Sequence, residues 1–256
     1  MLMLYGIKDC ANLTLFDLAT GNPELYTDYA NVSTNEWTAE RTYATAKGSR
    51  AIAWDSDRQS TLAVEMEVFD LKWLAVVTGS SLQNTEGNIG KRQVGTLTAG
   101  KSIKLDHTPL AGSVHVVEVD PKDEIEHIGE PLVEVAGEEE LEVGQFKVEG
   151  DTVNFATDAI EGAVYAVYFL TQMSGVKKMV ISADKFPKAY KVVGDVMIRE
   201  KETGKDEFAQ IVYPNARPQS DFTITMSESE PTNLSVTFDL FPNKDKAIAE
   251  YNFLGE

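Results

Sequence analysis

The sequence predicts an all-β fold with one short helix, and three observations carry that prediction. The last third of the chain is a series of short β-rich runs, Val192 to Arg199, Phe208 to Tyr213, Phe222 to Met226 and Leu234 to Leu240, split by polar turns at 201–205, 214–218 and 228–231. Ser60 to Phe69 alternates strictly, with Leu62, Val64, Met66 and Val68 on one side and Glu65 and Glu67 on the other. The best helix is Leu71 to Thr78: Asp70 can cap its first turn, Gly79 can end its last, and Leu71, Leu74 and Val77 with Val76 form an apolar stripe. An antiparallel meander with no catalytic constellation between its strands favours a protein that builds over one that transforms.

The remaining elements follow in order. Leu13 to Leu18 and Thr38 to Ala44 read as early strands, joined by a long polar loop that contains Gly21, Asn22, Pro23, Asn31 and Asn35. Asp55-Ser56-Asp57 reads as a turn after Trp54, and Gly79 to Gly90 as an exposed loop. Gln93 to Ala99 and Ser102 to Leu105 are strands, and 106–112 is a turn. Val114 to Val119 is a strand leading into an acid-rich run from Glu118 to Glu142, opposed only by Lys122. Phe146 to Phe155 is a hairpin turning at Gly150, and Ala163 to Leu170 pairs with it. Residues 114–170 therefore read as a small acidic β module inserted in a main domain of residues 1–113 and 171–256. One continuous large sandwich is the alternative.

Composition sets the outer limits. With 256 residues, 43% of them hydrophobic and 25% charged, the chain can bury a full core. A net charge of −18 argues against a surface that grips nucleic-acid phosphates, because that affinity comes from lysine and arginine displacing counterions. The same acidity suits solubility, and it also suits a surface that nucleic acid must pass without sticking. Cys10 is the single cysteine, so no intrachain disulfide forms. The first ten residues have no basic region before their short apolar run, which predicts no signal peptide. The longest apolar run, Ala163 to Leu170, is far short of the roughly 20 residues that span a bilayer, so no membrane association is expected.

No motif in the sequence carries catalytic or metal chemistry. His107, His115 and His127 are spaced by eight and twelve, without a cysteine partner, and predict no metal site. Pro121 and Lys122 break the oxygen alternation that a calcium loop needs in 120–124. Thr85 to Arg92 lacks the first glycine of a phosphate loop and the hydroxyl residue after its lysine. Gly79-Ser80-Ser81 and Gly112-Ser113 lack the flanking glycines of a nucleophile elbow. The carboxylate pairs Asp55 with Asp57 and Glu65 with Glu67 are explained by turn chemistry and by the polar side of a strand. No catalytic residue, metal or cofactor is predicted, and the chain does not read as an enzyme.

The order of elements is more specific than any motif. The strand and helix from Ser60 to Gly79, residues 48–55 and 183–190, the hairpin from Val192 to Tyr213, residues 218–226 and a final strand ending Asp239-Leu240-Phe241-Pro242 together resemble the major tail tube proteins of long-tailed bacteriophages. The resemblance implies a β-sandwich whose inner sheet joins those of neighbours into a barrel, as hexameric rings stacked into a tube through which genome DNA is ejected. It makes Glu65 and Glu67 candidates for the lumen. It makes the loops from Gly21 to Trp37 and from Gly79 to Gly90 candidates for contacts between subunits or rings, through Asn22, Tyr26, Tyr29, Trp37, Gln83, Asn84 and Asn88. Leu71, Trp73 and Leu74 would pack the helix. The implied partners are further copies of the chain, a tape measure protein and tail-end or baseplate proteins, with DNA as transient non-specific cargo. The implied location is the virion tail, after assembly in the host cytoplasm. A carbohydrate-binding or adhesin-like β module is the competing reading, but Trp37, Trp54 and Trp73 are too scattered to favour it; a β-scaffold hydrolase is more distant still.

Overall fold

The computed structural model describes residues 4–7, 10–137, 140–224 and 226–253, so Glu138 and Glu139 of the acidic run and Thr225 of the expected strand at 222–226 lie outside the described residues. Seventeen strands and one helix follow in chain order: β1 (Tyr5–Ile7), β2 (Asn12–Asp17), β3 (Pro23–Thr27), β4 (Val32–Ala46), β5 (Ser49–Met66), α1 (Leu71–Thr78), β6 (Gln83–Thr96), β7 (Ser102–Lys104), β8 (His115–Asp120), β9 (Asp123–His127), β10 (Val133–Glu134), β11 (Gln145–Glu149), β12 (Thr152–Phe155), β13 (Val164–Lys178), β14 (Tyr190–Glu200), β15 (Asp206–Pro218), β16 (Leu234–Leu240) and β17 (Glu250–Phe253). The fold is all-β, as the alternation predicts. The chain divides into two compact units, Met1–Leu82 with Met179–Glu256, and Gln83–Lys178. The second takes in residues 114–170 together with the strands that lead into and out of them.

The first unit is a single antiparallel sheet in the order β3-β2-β14-β15-β16-β5-β4, with β1 added on β14 and β17 on β15. Alternation explains its core. Leu13, Leu15, Leu62, Val64, Met66, Val192, Val196, Ile198, Val236 and Phe238 face one side and are buried there. The helix α1 supplies the cover. Asp70 is extended and accepts a hydrogen bond from the Lys72 backbone N–H at 2.9 Å, and Gly79 ends the helix at φ 67°. Its buried stripe is Trp73, Val76 and Val77; Leu74 packs at the margin. Leu71, expected in that stripe, is exposed, because the helix presents the Trp73 side to the sheet. The Trp73 ring stands edge-on to Phe238 with centroids 6.3 Å apart.

Gly79 is required for two reasons at once. Its φ is left-handed, and a Cβ there would lie 2.1 Å from the Phe186 carbonyl oxygen. Gly79→Ala is expected to cost about 2–4 kcal/mol, from the left-handed penalty plus a backbone clash that no side-chain rotation relieves. Urea unfolding of the variant checks this, and a midpoint equal to wild type would contradict it.

Several expected breaks are strand instead. Residues 23–27 form β3 and Val32 opens β4, so the predicted loop between Gly21 and Trp37 shrinks to two short connections. Asp55-Ser56-Asp57 lies inside β5, where the register shift opposite Thr38 and Glu40 and the positive φ of Asp57 (48°) mark a β-bulge. Pro214 and Asn215 lie within β15, opposite Lys191 alone, and this second bulge lets a proline sit in a sheet whose ladder it cannot join. Of the described residues in 222–226, expected as a strand, only Ile224 makes a ladder contact, a single bridge to Leu234.

The second unit is a two-sheet sandwich, β6-β13-β8-β9 and β10-β11-β12-β7. The hairpin β11–β12 turns at Gly150 (φ 63°) as predicted, but it pairs with β7 and β10. Strand β13 pairs with β6 and β8 in the other sheet, and meets the hairpin through the core of Phe146, Val153, Phe155, Tyr165, Val167 and Phe169. Gln83 to Gly90, expected as a loop, is strand β6 paired with β13.

Candidate functional site

The side of the nine-stranded sheet away from the core is polar and partly open. Cross-strand register places Val32, Glu65 and Ser235 in one row, Thr34, Ala63 and Thr237 in the next, and Glu36, Thr61, Asp239 and Arg217 in a third. Further along, Tyr26, Thr14, Val193, Val212 and Glu250 align, then Asn12, Asp195, Gln210 and Asn252. Arg199 and Asp206 form an ion pair on the same side, with Arg199 Nη2 2.7 Å from Asp206 Oδ2. Glu36, Glu65, Asp195, Asp239 and Glu250 then stand against Lys191 and Arg217, so the face is net acidic. Glu65 is on it, half-buried; Glu67 lies beyond the end of β5 and is exposed.

Among the described residues, a strand edge at each end of the sheet carries no partner: β3 at one end, β4 at the other. The β3 edge is clamped by charge. Asp17, buried at the end of β2, accepts hydrogen bonds from the backbone N–H groups of Ala19 (2.8 Å) and Thr20 (2.9 Å) and from the Lys188 ammonium, which also reaches Glu24 in β3. The Lys188 hydrogen bond, followed by that of Thr20, holds the Asp17 carboxyl at about 2, below its ordinary 3.8. Burial pulls Lys188 down, but its bonds to Asp17 and Glu24 outweigh this and leave it above the ordinary lysine value. A carboxyl lowered in the folded state contributes stability that is complete above its unfolded pKa and lost as pH falls from about 4 towards 2. Unfolding midpoints measured from pH 6 to pH 2 should therefore fall less steeply for Asp17→Asn than for wild type; parallel curves would refute the clamp.

The β4–β5 hairpin runs well past the sheet. From Trp37 and Gln59 outward both its faces are exposed almost throughout, and it turns at Lys47 and Gly48, both at positive φ (50° and 85°), the geometry of a primed hairpin turn. One side of this arm carries Trp54, Ile52 and Ala44; the other carries the Arg41–Asp55 ion pair and Arg50 stacked 4.0 Å over Tyr43. Trp54 is 53% exposed and Ile52 55%. Sequence reasoning found strand character only in Thr38 to Ala44. The signal for the rest was the small, left-handed-tolerant Gly48 between two runs rich in threonine, tyrosine, isoleucine and tryptophan.

The residues expected to bridge copies are dispersed. Asn22 is in the β2–β3 turn, and Tyr26 is exposed on β3. Tyr29 is committed inward: its hydroxyl accepts from the Asp70 backbone N–H at 3.2 Å and its ring packs on the core. Trp37, 41% exposed at the base of the arm, donates its indole N–H to Asn35 at 2.8 Å. Gln83, Asn84 and Asn88 are exposed on β6 in the other unit, in a strand and not a loop. Among the described residues no three His, Cys, Asp or Glu side chains gather as a metal site, and no helix is long and apolar enough to cross a membrane.

A single curled antiparallel sheet with open edges, an amphipathic arm and a net acidic outer face defines a building element. The chain belongs to the YomU/Tube protein family, whose sequence pattern it matches over residues 5–253. It is thus a structural protein of the phage tail tube, a component of the virion tail. No curated protein matches it.

Proposed function

We propose that copies of this chain close into rings, six to a ring, and that the rings stack head to tail into a tube. The observation that carries this reading is the pair of unpartnered edges, β3 and β4, at opposite ends of one sheet. An open edge is an aggregation hazard, and pairing the β4 edge of one copy with the β3 edge of the next converts the hazard into a closed barrel without edges. Heterologous contacts of this kind form rings when the rotation closes, and stacking then extends them into a filament. In that barrel the face bearing Glu36, Glu65, Asp195, Asp239 and Glu250 lines the bore, where fixed negative charge removes the attraction that would hold genome DNA during ejection. Glu67 sits at the rim. The arm reaches the adjacent ring, with Trp37 at its base. A tape measure protein inside the growing tube and tail-end proteins at its tip complete the partner set, and assembly takes place in the host cytoplasm before the tail joins the virion.

Negative-stain electron microscopy of the purified chain, paired with light scattering, tests the reading. Rings or hollow tubes of uniform bore are expected. A monomer at every concentration and salt tried would overturn it.

A further inference from the structure

The 83–178 unit carries a feature that the tube reading does not use and that does not depend on it. Register sets Arg92, Tyr168 and His115 side by side across β6, β13 and β8, with Gly90 and Leu170 in the next row of the same face. Gly90 has no side chain, and Gly112 and Ser113 are small, so a depression of about 610 Å³ opens there. The side chains of Arg92 and His115 face it, and its lining holds no aspartate or glutamate, in a chain whose net charge is −18.

The cation at its rim is held in place by neutral groups. Arg92 donates through Nε to the Tyr168 hydroxyl at 3.1 Å and through Nη2 to the Glu124 carbonyl, and its guanidinium lies 5.7 Å from the Tyr168 ring centroid. His127 braces the same hydroxyl at 3.0 Å. Among the described residues no carboxylate forms an ion pair with Arg92 or Lys91. An oriented guanidinium without a counter-ion is the arrangement that recognises carboxylate or phosphate. Leu170, 42% exposed, and the half-buried Tyr168 ring supply an apolar floor of the kind that packs on the C–H face of a sugar. The volume is that of a small-molecule site.

The geometry points to a binding site for an acidic saccharide, with its carboxylate or phosphate on Arg92 and its ring over Leu170 and Tyr168. Isothermal titration of the full chain with glucuronic acid, glucose 6-phosphate, glucose and inorganic phosphate tests it. At least one acidic sugar should bind at least tenfold tighter than both glucose and inorganic phosphate, and severalfold more weakly at 0.5 M than at 0.05 M salt. Arg92→Gln should weaken that binding at least tenfold. Gly90→Val should abolish it: a Cβ at Gly90 meets only Leu170 Cδ2, at 3.9 Å, so the variant fills the depression without forcing the backbone, and an unchanged melting temperature confirms that it folds. Binding of no probe overturns the assignment, as does glucose or inorganic phosphate binding as well as the acidic sugars, or an affinity that survives both substitutions.

Discussion

Trp73→Ala is expected to remove about 3–5 kcal/mol of stability, the usual cost of truncating a large buried aromatic to alanine. Trp73 is fully buried, and it is the side chain through which the short helix packs on the core of its one-sheet unit. Loss of the indole takes the edge-on contact with Phe238 and leaves a void beside that ring that an eight-residue helix cannot collapse to fill. The conservative change separates packing from polarity. Trp73 Nε1 is buried without a hydrogen-bond partner among the described residues, and an unmet buried donor costs about 1–3 kcal/mol. Trp73→Phe removes that donor while keeping most of the ring volume, so its net effect should stay within about 1.5 kcal/mol of wild type. Urea denaturation of both variants decides the matter. If Phe proves as damaging as Ala, the indole N–H has a role in the fold that the packing account lacks.

What was legible in the sequence was local. The Asp70 cap and the Gly79 stop are single-residue signals, and they bound the helix at the residues expected. The strands around Leu62 and Val192 were legible because one of their faces is buried, which imprints period two on the apolar residues. Apart from Thr38 to Ala44, which was read as strand, the arm escaped because neither of its faces is buried: with water on both sides, it has no reason to alternate. The same holds for the Gln83–Gly90 half of β6. Glu65 could be placed on the polar side of a strand from alternation alone, but Glu67 could not, because the strand ends one residue earlier and Val68, its supposed core neighbour, is 70% exposed. Pairing partners were least accessible of all. The row of Arg92, Tyr168 and His115 joins residues up to 76 positions apart, and nothing local in the chain announces that they meet.

The substitution of both Trp54 and Ile52 by serine is expected to raise the concentration needed for tube formation about thirtyfold while leaving the monomer intact. An isolated two-stranded ribbon is marginal in water, yet this one extends eight residue pairs beyond the sheet and holds a large indole and an isoleucine in solvent. In the proposed tube the Trp54 side of the arm is covered by another copy. Exposed aromatic anchors of this type carry about 2 kcal/mol or more of binding energy when buried at an interface. Losing 2 kcal/mol at each contact raises the concentration needed for assembly about thirtyfold. In the monomer the same side chains touch little, so unfolding midpoints should shift by no more than about 0.5 kcal/mol per site. Sedimentation of wild type and variant over a hundredfold range of concentration, beside urea unfolding of each, measures both quantities. Tubes that form from the variant at the wild-type concentration would remove the arm from the assembly contact, whereas edge pairing between β3 and β4 would survive that result, since neither strand edge includes the altered residues.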